Sequence, residues 1–159
     1  MPDCLLLLGA NRGRREENLR RALRLLARLR GGRVLARSRV FDTAPLGPSR
    51  RRYLNQAVRY RTALSAMGLL VECKRLEALA GRRPGRRWGP RPLDIDILDY
   101  AGRRLKSRWL SLPHPEAGRR AFALAPVCDI APRWRPQGRA TAARLLRRLR
   151  PAPAEVRPS

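Results

Sequence analysis

The sequence predicts an α+β fold: a ferredoxin-like sandwich, with a mainly antiparallel sheet and helices packed on it. Three observations predict it. Short apolar or β-branched runs and two helical stripes follow one another in the order β-α-β-β-α-β over the first hundred residues, the order of a split βαβ unit. Glycine- and proline-rich segments fall at the boundaries between those runs. A chain of 159 residues suits one hydrophobic core.

Residues 4–9 are a short apolar run with the length of a strand, and residues 9–13 (Gly-Ala-Asn-Arg-Gly) are a turn into the next element. Leu19, Ala22, Leu23, Leu26 and Leu29 then recur at helical spacing. Glu16 and Glu17 stand where a helix N-terminus favours acids, and Gly31-Gly32 stops the run. Residues 33–41 and 53–62 read as strands, joined by a loop that holds Pro45, Gly47, Pro48 and three successive arginines. Ser65 can cap a second helix, whose stripe is Leu69, Cys73, Leu76 and Ala80 and whose stop is Gly81.

Residues 82–89 form a loop rich in glycine, proline and arginine, and it leads into a strand over 93–98. Residues 104–112 suit a short strand, Pro113-His114-Pro115 breaks it, and 117–124 and 140–149 suit helices. One domain over 1–150 is expected. Residues 151–159, with three prolines and little to bury, are expected to lack order.

No segment has the length and apolarity of a membrane helix, and the early apolar run lacks the basic flank and cleavage pattern of a signal peptide, so a soluble cytoplasmic protein is expected. Cys4, Cys73 and Cys128 are odd in number and widely spaced, without C-x-x-C or histidine partners. They suggest reduced core thiols, not disulfides or a zinc site. The formal charge of +25 would ordinarily put nucleic acid first among partners. Yet the excess arginine is spread along the chain, and a polyphosphate also calls for bidentate arginine. Charge alone decides little.

The stretch Arg87-Trp88-Gly89-Pro90-Arg91-Pro92-Leu93-Asp94-Ile95-Asp96-Ile97-Leu98 carries the most chemistry. Its period of two puts Asp94 and Asp96 on one strand face, roughly 6 to 7 Å apart at Cβ, with Asp99 on the other. Such a pair suits Mg²⁺, which takes one or two carboxylates and completes its shell with water and substrate phosphates. In a chain with 12 acidic residues against 37 basic ones, two acids on one strand face behind R-W-G-P-R are poorly explained as surface decoration.

This stretch resembles the hallmark of the 6-hydroxymethyl-7,8-dihydropterin pyrophosphokinase family, close to R-W-G-P-R-T-L-D-L-D-I, departing only at Pro92 and at Ile95. Further blocks fall in the family's order: Gly9-Ala10-Asn11, Thr43-Ala44-Pro45-Leu46-Gly47, Tyr53-Leu54-Asn55, Glu77 before Gly81-Arg82, Pro113-His114-Pro115 and Arg120-Ala121-Phe122. The resemblance spans about residues 4–150.

The resemblance implies the same class of fold, and transfer of pyrophosphate from ATP to the hydroxymethyl group of a reduced pterin. It implies that Asp94 and Asp96 hold two Mg²⁺ ions, that Arg82 and Arg91 work at the phosphates, and that Glu77, Arg87, Trp88, Ile97, Ser111, His114 and Arg120 border the nucleotide. Tyr53 and Phe122 match stacking rings, and Thr43, Pro45, Leu46 and Asn55 match the pterin rim, over which Trp88 would close. The loop over 82–87 is one residue shorter than in the best-aligned relative, which leaves open whether Arg83 or Arg86 matches its mobile-loop arginine. Lys74, Ala10 and Trp109 depart from the family's residues. A monomer in folate biosynthesis is implied.

Two other readings stay open at this point. An RNA-binding module fits a ferredoxin-like sheet with a basic surface. The chain lacks the aromatic signature of such modules, and it has only three tryptophans, three tyrosines and two phenylalanines. A homologue that binds without chemistry is the other; the retention of both aspartates argues against it.

Overall fold

The computed structural model describes residues 1–82 and 90–159. The chain runs β1 (Asp3–Ala10), α1 (Arg15–Arg28), β2 (Gly32–Arg37), β3 (Phe41–Thr43), β4 (Tyr53–Thr62), α2 (Ala66–Leu79) and β5 (Asp94–Tyr100). A hairpin of β6 (Leu105–Lys106) and β7 (Ser111–Leu112) follows, then α3 (Ala121–Ile130), α4 (Ala142–Leu149) and β8 (Val156–Pro158). The main sheet has the order β5-β1-β4-β3-β8, with β2 also pairing β4, and its pairs are antiparallel. This is the split βαβ arrangement predicted for an α+β sandwich.

The central strand β1 has an unbroken apolar sequence because both of its faces are covered. Cys4, Leu6 and Leu8 pack with Leu19, Ala22, Leu23 and Leu26 of α1 and Leu69, Cys73 and Leu76 of α2. Leu5 and Leu7 pack on the other face with Ala123, Leu124 and Val127 of α3 and Ala142 of α4. A strand buried on both sides reads as a continuous run, not an alternation. Tyr60 is buried in the first layer and donates its hydroxyl to the Leu26 carbonyl at 2.9 Å, which removes the cost of burying a phenol. Ser65 caps α2 by accepting from Gly68 N at 3.0 Å.

Four expectations from the sequence are corrected. The strand expected over 33–41 is two strands: Ser38 turns the corner, its hydroxyl accepting the Ala57 N–H and its own N–H donating to the Ala57 carbonyl, both at 2.9 Å. The helix expected over 117–124 is a short 3-10 turn (Ala117–Arg119) and then α3, broken by an extended Arg120.

Asp99 does not follow strict alternation. The β1–β5 register shifts between Leu5 and Leu6, so that Asp99 opposes Leu5 while Asp96 opposes Leu7. An extra residue in one strand resets which side its neighbours face. The tail expected to lack order pairs through β8 with β3, placing Thr43 opposite Val156 and Phe41 opposite Pro158. Of the three cysteines, Cys4 and Cys73 are buried core thiols and Cys128 is partly buried.

Candidate active site

The end of β1, the start of β4 and the start of β5 lie side by side, and their register gathers the polar residues. Gly9 is the partner of both Asn55 and Asp94, and Leu7 is the partner of Asp96. On this face a cavity of about 200 Å³ is lined by Thr43, Leu46, Tyr53, Asn55, Arg91, Asp94, Asp96, His114, Arg120 and Phe122, all of them residues expected from the sequence. Leu7, Gly9, Ala44 and Ser49 complete its wall.

Gly9 is part of strand β1, and a Cβ there would sit 2.9 Å from Asn55 Oδ1 and 3.6 Å from the Tyr53 ring. The absence of a side chain is what lets these two groups reach across β1. The sequence places Gly9 where the first strand meets a turn and does not show this contact, because the close approach depends on strand register. Asn55, 4% exposed, donates from Nδ2 to Thr43 Oγ1 at 2.7 Å. That bond fixes its amide and leaves the carbonyl oxygen and the second N–H for a ligand edge.

The acidic corner is more densely bonded. Arg82 bridges Glu77 Oε2 at 2.5 Å and Asp94 Oδ1 at 2.7 Å, and Arg91 reaches the same Asp94 oxygen at 3.2 Å. Glu77 is 2% exposed and lies behind the cavity wall, where it also accepts from Ile95 N at 2.9 Å and from Lys74 Nζ at 3.1 Å. Burial holds its carboxyl above the usual carboxylate range, with Asp94 adding to the effect. Lys74, a departure from the family's residue, is thus the partner of Glu77.

No described residue donates a hydrogen bond to Asp96, whose pKa is pushed up to about 7, first by burial and then by the charges of Asp94 and Glu77. A carboxylate that faces a cavity, lacks donors and is crowded by two acids suits a divalent cation. Among the described residues no cluster of three or more metal-binding side chains exists, so water and substrate would fill the remaining positions, as Mg²⁺ prefers. The donor set fits that ion.

Arg91 is set in place through its backbone: its N–H donates to Asn11 Oδ1 at 2.6 Å and its carbonyl accepts from Asn11 N at 3.0 Å. His114 Nδ1 accepts the Glu116 N–H at 3.2 Å, which places the proton of the neutral ring on Nε2. Burial, then the charge of Arg120, pulls its pKa below 6.5. It is therefore a neutral hydrogen-bond donor near neutral pH. The break at Arg120 brings that residue to the cavity with its guanidinium 5.6 Å from the centre of the Phe122 ring.

Other expected site residues are placed differently. Ile97 is 3% exposed, with its side chain in the core under α1 and α2. Pro45 and Ser111 are not on the cavity wall, and Ser111 pairs with Lys106 in the small hairpin. Arg87 and Trp88, with Arg83 and Arg86, lie outside the described residues.

The model of the 7,8-dihydro-6-hydroxymethylpterin-pyrophosphokinase family matches residues 5–132. The chain belongs to this family. A 2-amino-4-hydroxy-6-hydroxymethyldihydropteridine pyrophosphokinase of Methylorubrum extorquens is 43% identical over 133 residues, covering 83% of this chain and 84% of the relative. A mitochondrial folate synthesis bifunctional protein of Arabidopsis thaliana is 43% identical over 130 residues, covering 80% of this chain but 23% of that longer protein. The crystal structure of wild-type Plasmodium falciparum HPPK-DHPS is similar at a TM-score of 0.72 and 16% identity, over 93% of this chain and 43% of that one. It speaks to the fold alone. Membership in the pyrophosphokinase family, with relatives at this identity, makes the chain a pyrophosphokinase of folate synthesis.

Proposed function

We propose that the cavity binds 6-hydroxymethyl-7,8-dihydropterin beside ATP and transfers pyrophosphate between them. The hydroxymethyl oxygen forms a bond to the β-phosphorus, the bond from that phosphorus to the bridging oxygen of the α-phosphate breaks, AMP leaves, and the hydroxyl proton goes to solvent. The observation that carries this reading is the meeting of two opposite chemistries in one cavity: Tyr53, Phe122 and Asn55 along with Asp94, Asp96, Arg91 and His114.

The pterin is a flat heterocycle, suited to stacking on Tyr53 and Phe122 with edge hydrogen bonds from Asn55. Thr43 and Leu46 bound that end, and Pro45 and Trp88 are assigned to it by family resemblance. Asp94 and Asp96 would hold two Mg²⁺ ions, which when bound supply charge neutralisation of the triphosphate. Arg82, Arg91, Arg120 and neutral His114 orient and stabilise the phosphate oxygens, which is most of what phosphoryl transfer asks of a protein. Glu77 retains Arg82 on the phosphate side, so its part in nucleotide binding is indirect; Arg87, Ile97 and Ser111 belong to the nucleotide side by resemblance.

The reading includes a monomer acting in the cytoplasm on ATP and the pterin, with no membrane or nucleic-acid partner. Among the described residues no helix is long and apolar enough to cross a membrane. Purified chain incubated with ATP, Mg²⁺ and the pterin should release AMP and pterin diphosphate in equal amounts. Release of ADP, or no product from folded protein, would refute the reading.

A further inference from the structure

The last five residues of the chain close the outer edge of the strand that carries the substrate rim. β3 is three residues long, and its inner edge pairs with β4, where Thr43 opposes Tyr53 and Phe41 opposes Asn55. Its outer edge would be bare without β8. Ser159 N donates to the Val40 carbonyl at 2.9 Å, and Ala44 N donates to the Glu155 carbonyl at 2.7 Å. Arg157 lies 3.9 Å from the Asp42 carboxylate, which is also paired with Arg52 at the foot of β4.

The position of the Ala44 bond matters most. Thr43, Ala44, Leu46 and Ser49 line the cavity, yet beyond Ala44 the connection to β4 makes no backbone-to-backbone hydrogen bond among the described residues. The Ala44–Glu155 bond is therefore the final tether before the chain leaves the sheet for the substrate rim. A short edge strand held on one side frays more readily than one held on both. The position of Thr43 also fixes Asn55, through the bond from Nδ2 to Thr43 Oγ1.

We propose that residues 155–159 are a positioning element for the pterin end of the cavity, holding the rim at Thr43–Ala44 by adding a strand to β3. The inference rests on the function proposed above. It concerns a segment that lies beyond the residues matched by the family model. It predicts a selective defect: loosening the tail disturbs the pterin side and leaves the phosphate side, built on β5, Asn11 and His114, as it was.

The test compares the full chain with two variants: one ending at Pro151, and the full-length Arg157→Pro, which loses a backbone N–H at the centre of the pairing. Three quantities are read: KM for the pterin, KM for ATP, and amide hydrogen exchange over residues 41–46. In both variants the pterin KM should rise about ten-fold, the effect of losing one or two backbone hydrogen bonds, with the ATP KM changed less than about two-fold. Exchange should quicken at 41–46 and stay unchanged in β1 and β5.

A pterin KM that stays at the wild-type value overturns the inference, as does a parallel rise of both constants, which would mark the tail as general scaffolding. If the wild-type chain itself forms no product, the proposed function fails instead. The pterin Kd, measured from ligand fluorescence with a non-hydrolysable ATP analogue, then decides the positioning role by the same ten-fold criterion.

Discussion

Asn55 donates its side-chain amide to Thr43 Oγ1 at 2.7 Å, tying β4 to β3 at the cavity, while its carbonyl oxygen faces the bare backbone of Gly9. The geometry leaves no room for a methyl group on Gly9. Gly9→Ala should destabilise the fold by about 1–3 kcal/mol, as overpacking of a close contact does. It should also displace Asn55, raising KM for the pterin with KM for ATP unchanged; paired initial-rate titrations of the two substrates check this.

Phe122 lies under the Arg120 guanidinium with its ring on the cavity wall. Phe122→Ala should raise the pterin KM by roughly ten-fold or more, because ring stacking on a flat base contributes about 1–3 kcal/mol. Phe122→Tyr should retain most of the affinity. The pterin KM of the two variants, measured at saturating ATP, checks the contrast.

Glu77 is buried with three donors on its carboxylate, two of them cationic. Glu77→Leu leaves the Ile95 N–H and Arg82 without that partner. Arg82 and Lys74 can still turn toward Asp94 or water, so the loss should be roughly 2 kcal/mol, less than for a fully enclosed pair. Urea unfolding of the variant against the wild type measures it.

Short-range periodicity made the Asp94–Asp96 pair and the helical stripes legible in the sequence, and the family resemblance supplied the rest of the expected cavity lining. A period of two is enough to put Asp94 and Asp96 on one face, and a period near 3.6 is enough to name Leu19, Leu23 and Leu26 as the buried stripe of α1. The role of Gly9 was not legible, because a glycine in a turn and a glycine facing Asn55 across a ladder have the same local sequence. The shift that turns Asp99 belongs to the pairing of β5 with β1 and not to β5 itself. The tail has the composition of a disordered segment, and only the open edge of β3 gives it a place to pair. Glu77 was singled out by the family resemblance alone, and its contact with Arg82 was not legible, because it depends on where the chain goes after Gly81.

His114 is the only histidine, so its titration can be followed directly. Its pKa lies below 6.5, chiefly from burial. Between that lowered value and 6.5 the imidazole binds more protons in the unfolded chain than in the folded one, so the contribution of His114 to stability rises with pH across this window, opposite in sign to that of Asp96, which falls as pH rises toward its raised pKa of about 7. His114→Gln removes the rising contribution, so the variant's stability should gain less, or fall more, with pH than that of the wild type. The difference in thermal unfolding between the two chains from about pH 5 to about pH 8, with the wild-type imidazole resonances followed by NMR, checks the sign.

Asp94 and Asp96 decide whether the cavity is a metal-dependent phosphate site. The most direct measurement is AMP and pterin diphosphate formation by the wild type, Asp94→Asn and Asp96→Asn across a Mg²⁺ titration, with circular dichroism confirming that each variant is folded. Equal yields of the two products from the wild type are predicted, with kcat lowered by roughly 100-fold or more in each variant, the scale expected when a preorganised electrostatic contact to the transition state is lost. Wild-type turnover in folded variants, with an unchanged Mg²⁺ dependence, would contradict the assignment of these two carboxylates.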